Sequence, residues 1–160
     1  MVADPQPIDD RDQGGSILEP DPQPQTVVAV ADGRGVPEGE AALDRAVDEA
    51  KLRGSNLLVV NSQRGGRTAD YEEMALTNEQ VEAIHDRLHT EGIEHDVRGL
   101  IRGNDPADDL VAIAGEVSAE MIVIGLRKRT PVGKLIMGSN AQRVLLDATC
   151  PVLAVKRADA

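Results

Sequence analysis

Four short apolar runs punctuate this chain, and a segment with helical spacing follows or precedes each. The runs are Thr26 to Ala31 (TVVAVA), Asn56 to Asn61 (NLLVVN), Met121 to Ile124 (MIVI) and Val152 to Val155 (VLAV). They are short, rich in β-branched residues and nearly continuous in their apolar character, so they read as strands buried on both faces. A weaker strand is expected over Ile93 to Ile101, with Val97 facing inward. Strands that alternate with helices pair in parallel. The expected fold is therefore α/β: a five-stranded parallel sheet with helices on both faces. Right-handed crossovers favour the strand order 3-2-1-4-5. Its direction reverses between the first and fourth strands, and ligands bind outside the carboxyl ends of the strands at such a reversal. Those ends fall at Asp32 and at Gly125, the residue read as closing the fourth strand.

The helices carry their own punctuation. Ala42, Leu43, Ala46, Val47 and Ala50 recur at helical spacing between Glu38 and Arg53, with Gly54 where a helix stops. Thr77 and Gln80 form a capping-box pair ahead of Val81, Ile84 and Leu88, and Gly92 ends that helix. Asp105 followed by Pro106 marks a third start, before Leu110, Ile113, Ala114 and Val117. A last helix is expected from about Asn140 to Asp147. Residues 1–25 are rich in Pro, Asp and Gln without periodicity and read as a disordered acidic tail, which leaves 26–160 as the domain.

Composition excludes several functions. The formal charge is -11, and Tyr71 is the sole aromatic residue. Phosphate backbones repel such a chain, and stacking platforms for bases are missing, so nucleic acid is not an expected partner. No apolar run approaches a membrane span. The single cysteine, Cys150, has no internal partner, and with no signal-peptide pattern the expected compartment is the cytoplasm.

Against that acidity, the loop after the fourth strand is basic: Arg127, Lys128, Arg129 and Lys134 precede Gly138-Ser139, with Ser139 read as the helix cap. A helix start presents free N–H groups and the positive end of the macrodipole, which suits phosphate. Other candidates read more simply. His85 and His89 share a helix face but lack a third metal ligand, and His95 stands in a weak strand. Cys150 reads as a small buried filler, and Asp105, Asp108 and Asp109 as helix-start charge. No nucleophile–base pair is evident.

The pattern from Ile122 to Val155 resembles the universal stress protein family, whose mark is Gly, two residues, Gly, nine residues, then Gly-Ser or Gly-Thr. Gly125 and Gly138-Ser139 match, and the CPVLAV strand from Cys150 looks like the family's last strand. Lys128 stands where the middle glycine is expected. The resemblance implies a Rossmann-like fold and a nucleotide site at Asp32 (with Ala31 as the alternative acidic position), Val60, Gly125, Lys128, Gly138, Ser139, Asn140 and Ala141. It implies ATP, alone or with Mg2+, as a regulatory ligand, and hydrolysis no faster than slow. It also implies a homodimer joined through Val152 to Val155. The alternative reading is a homodimeric interaction protein of the stress response that binds no nucleotide.

Overall fold

The computed structural model describes residues 24–31, 37–61, 76–100, 105–126 and 137–156. Residues 1–23 of the acidic tail, Asp32, Lys128 and the rest of the basic loop lie outside the described residues. The elements are β1 (Thr26–Ala31), α1 (Pro37–Arg53), β2 (Asn56–Asn61), α2 (Asn78–Thr90), β3 (His95–Gly99), α3 (Pro106–Glu116), β4 (Met121–Leu126), α4 (Ser139–Asp147) and β5 (Val152–Lys156). All strands are parallel, in the order β3-β2-β1-β4-β5, as the crossover rule predicts.

Alternation along each strand divides the interior into two cores. Val27 and Ala29 of β1, Leu57 and Val59 of β2 and Val123 of β4 meet α1 and α2 through Ala42, Ala46, Val47, Ala50 and Leu88. Val28, Leu58, Val60, Ile122 and Ile124 point the other way, onto Leu110 and Ala114 of α3 and Val144 of α4. The alanine stripe of α1 lets that helix lie close to the sheet, so a core without Phe or Trp still excludes water. Each fully buried Val, Leu or Ile contributes roughly 1.5–3 kcal/mol relative to exposure.

The helix ends follow local chemistry. Thr77 and Gln80 close the capping box in both directions, and Asp105 accepts from the Ala107 N–H with Pro106 in the first turn. Gly54 and Gly92 sit at φ of +64° and +71°, a left-handed backbone that favours glycine. Three expectations are corrected. Gly125 does not close β4; it pairs with Val155, and the strand continues to Leu126 because β5 offers it a partner. Ser139 is not the cap of α4. Gly138 is, because its carbonyl accepts the first helical bond from Gln142 N–H at 3.0 Å. The weak strand is shorter than expected, since β2 supplies partners only for His95 to Gly99. No helix among the described residues is long and apolar enough to cross a membrane.

The amino end of the sheet is tied by one carboxylate. Glu120, just before β4, accepts from the Ser55 hydroxyl at 2.6 Å and the Arg53 guanidinium at 2.7 Å, and Arg53 also reaches Glu49. The Ser55 hydrogen bond, with help from Arg53 and against partial burial, holds the Glu120 carboxyl below its usual range. A carboxyl lowered in the folded state contributes stability above its unfolded pKa of about 4.3 and loses it as pH falls through the folded value. Glu120→Gln should therefore melt below the parent at neutral pH, and the gap should close as the pH drops past about 4. Thermal unfolding of both proteins across that range measures it; a gap unchanged in acid contradicts the assignment.

Candidate functional site

Beyond the carboxyl ends of β1 and β4 the strand order reverses, and the start of α4 stands there. Gly138 caps this helix with extended backbone, φ -65° and ψ 157°, and without any side-chain hydrogen bond. The N–H groups of Ser139, Asn140 and Ala141 precede the first helical bond and have no intrahelical acceptor. The other caps described differ. The starts of α2 and α3 are closed by Thr77 and Asp105 and carry acid in the first turn: Glu79 in one, Asp108 and Asp109 in the other. α4 has no acid in its first turn. In a chain of charge -11, this is a helix start left open to an anion.

Arg143, one turn into α4, protects that property. Its guanidinium bonds Asp105 Oδ2 at 2.7 Å and Asp108 Oδ1 at 2.5 Å. One guanidinium bonding two carboxylates ties α3 to α4 and neutralises Asp105 and Asp108 beside the first turn of α4. Gln142 Nε2 donates to the Met137 carbonyl at 3.3 Å, which holds the chain entering the cap.

The expected site residues divide into three groups. Gly125, Gly138, Ser139, Asn140 and Ala141 stand at the carboxyl side of the sheet on β4 and α4. Val60 is fully buried among the α3 and α4 contacts, between β1 and β3, so it belongs to the core. Asp32 and Lys128 lie outside the described residues. A residue that sequence reading passed over is Asn61, the last of β2. It is buried, and its Oδ1 has no hydrogen-bond partner. The available signal was an amide at the end of an otherwise apolar strand.

Elsewhere, His85 does not pair with His89. Its Nδ1 lies 2.7 Å from His95 Nε2, and His95 Nδ1 lies 2.8 Å from the Ile93 carbonyl. The carbonyl requires a proton on His95 Nδ1, so His85 donates to His95 Nε2. This pins α2 to β3. Among the described residues no three His, Cys, Asp or Glu side chains converge as metal ligands. Burial pushes the free thiol of Cys150 upward, which keeps it protonated and unreactive.

Comparison with known proteins gives one answer. The family model described as "Universal stress protein family" matches residues 24–156. A universal stress protein of Mycolicibacterium smegmatis is 40% identical over 120 residues, which cover 75% of this chain and 90% of that protein. A solved universal stress protein structure from Archaeoglobus fulgidus superposes with a TM-score of 0.67 at 40% identity, covering 81% of this chain and 97% of that one. A second structure from the same organism, in complex with dAMP, has a TM-score of 0.55 at 33% identity, with coverage of 81% and 96%.

Arg143→Met tests the electrostatics of this end of the sheet. The pair is half-exposed, so its loss should cost only about 0.5–1 kcal/mol of stability. Anion affinity should fall several-fold, because Asp105 and Asp108 would lose their counter-charge beside the first turn of α4, and the deficit should shrink as salt rises. Phosphate or AMP titration at two ionic strengths measures this. Unchanged affinity at low salt contradicts it.

Proposed function

This chain belongs to the universal stress protein family, and on that premise we propose that it binds an adenine nucleotide across the carboxyl ends of β2, β1 and β4. The observation that carries the reading is the start of α4, uncapped by any side chain and free of acid, at the end of β4. Its N–H groups suit a phosphate that the rest of this acidic surface would repel. Adjacent strands lie about 4.8 Å apart, so β2 and β4 are separated by roughly 10 Å, the reach from base to first phosphate of one nucleotide. The base then lies at β2, the sugar over β1 with Asp32, and the phosphate at Gly138, Ser139, Asn140 and Ala141. The dAMP held by the Archaeoglobus relative supports a site of this size.

ATP is the ligand proposed for the cell. Lys128 supplies a point charge for its outer phosphates, where a family glycine would have offered room. Mg2+ would accompany those phosphates. Because ligand binds the folded state, occupancy raises stability by mass action, and the domain can report nucleotide level. The proposed role is a regulatory ligand site in the cytoplasmic stress response.

Gly138→Asp separates binding from folding. The Gly138 backbone has φ and ψ that suit an N-cap aspartate, which can cap its own helix, and stability should hold or rise by a few tenths of a kcal/mol. Its carboxylate would occupy the N–H groups and repel phosphate. Affinity for AMP and ATP should fall about 10-fold or more, while adenosine affinity changes little. Calorimetry with the three ligands measures this, and an unchanged ATP affinity contradicts the placement.

A second proposal is a homodimer through β5, which would also serve a protein acting by interaction alone. β5 is an edge strand paired only with β4, and Val152, Leu153, Ala154 and Val155 are all half-buried rather than covered. An apolar edge with unpaired backbone groups invites a second strand, and a two-fold axis makes that pair antiparallel. Leu153→Lys should shift sedimentation from dimer to monomer. A parent that is monomeric at micromolar concentration rules the proposal out.

A further inference from the structure

We propose that the hydrogen bond between His85 and His95 is a pH-sensitive latch, which holds α2 to the edge strand β3 at neutral pH and opens in acid. It is independent of the nucleotide reading. Geometry fixes where the protons sit. His95 Nδ1 lies 2.8 Å from the Ile93 carbonyl, which can only accept, so that nitrogen carries a proton. His95 Nε2 is then the acceptor for the His85 Nδ1–H, 2.7 Å away. His85 Nε2 is the one ring nitrogen of the pair outside this chain of bonds. A proton added there leaves the bond in place, now donated by a cation. A second added proton can enter only at His95 Nε2. Two N–H groups then face each other, neither can accept, and two cations stand with ring centroids 4.9 Å apart.

The surroundings do not supply a bonded counter-charge. On α2, Glu82 and His89 lie a turn to either side of His85 and Asp86 beside it, all three exposed to solvent that screens them. Glu94, just before β3, is exposed as well. Asp96 and Arg98 alternate with His95 onto the other face of the sheet and bond each other at 3.0 Å. β2 offers Leu57, the register partner of His95, and Val59, neither of them charged. On α1, Asp44 and Lys51 are taken by Arg87 and Glu91 of α2. Among the described residues no carboxylate bonds either ring. Both rings are half-buried, so protons from solvent reach them. β3 pairs only with β2, so no second strand duplicates the hold that α2 gives it. The latch needs His95 Nε2 unprotonated. Its contribution is therefore present at neutral pH and is lost as the pH falls through the ordinary histidine range near 6.5, where the unfolded chain takes up protons that the latched pair excludes.

The experiment is thermal unfolding of the parent, His95→Leu and His85→Asn at about pH 7.5 and about pH 5, beside nitrogen NMR of the parent's imidazole rings. His95→Leu has no acceptor. The parent's advantage over it should be about 2–4 °C larger at the higher pH than at the lower. His85→Asn keeps a donor near the place of Nδ1–H and, by turning its amide, offers an acceptor to a protonated His95. On acidification it should lose about 2–4 °C less than the parent. The spectra should show His95 as the Nδ1–H tautomer at neutral pH. An advantage over His95→Leu that is equal at both pH values overturns the inference and leaves the pair a packing contact. So does a His85→Asn protein that loses as much in acid as the parent, or a His95 found as the Nε2–H tautomer. If His95→Leu does not fold, the parent against His85→Asn decides.

Discussion

Burial of β1 on both faces is the constraint from which the rest of the molecule follows. Val27, Val28 and Ala29 are fully buried, two facing α1 and one facing α3 and α4. A strand with no polar face must have a neighbour on each side and a helical layer above and below. β2 and β4 are those neighbours, and the chain can reach both only by reversing its direction along the sheet. Right-handed crossovers then put the helices built before and after the reversal on opposite faces. α1 and α2 cover one side, α3 and α4 the other. The gap in which a ligand can lie is a consequence of the same reversal.

Charge sets the electrostatics around that gap. A chain of -11 repels anions over most of its surface. Acid at the starts of α2 and α3 satisfies those helix dipoles from within. α4 is treated differently: glycine at the cap, no acid in the first turn, and Arg143 turned back to hold Asp105 and Asp108. These three choices, all at the start of α4, point to one local sign. The same acidity makes the ion pairs at the opposite end of the sheet useful. There Arg53 lies between Glu49 and Glu120, and Lys51 and Arg87 meet Glu91.

Most of the fold was legible because it is written in short-range terms. Thr77 with Gln80 and Asp105 with Pro106 are local signals, and the structure uses them as read. The cap of α4 departs from its local signal. Serine is a better cap than glycine in general and points to Ser139, but the helix begins one residue earlier. Glycine weakens strands and so suggests a stop at Gly125, yet a paired neighbour in β5 carries β4 past it. Helical spacing puts His85 and His89 on one face, while the hydrogen-bond partner of His85, His95, lies on another element.

By itself, the sequence determined the element types and their parallel arrangement, because periodicity and crossover handedness act on one chain without regard to fine packing. Tertiary structure alone decided which polar groups meet. Arg143 finds Asp105 and Asp108, Glu120 finds Ser55, and Asn61 is buried with its acceptor unanswered. Side-chain partners across elements depend on register and helix rotation to within about one hydrogen-bond length, roughly 3 Å. No spacing along the chain carries that information, because it arises only when the two cores close on β1 and set each helix against the sheet.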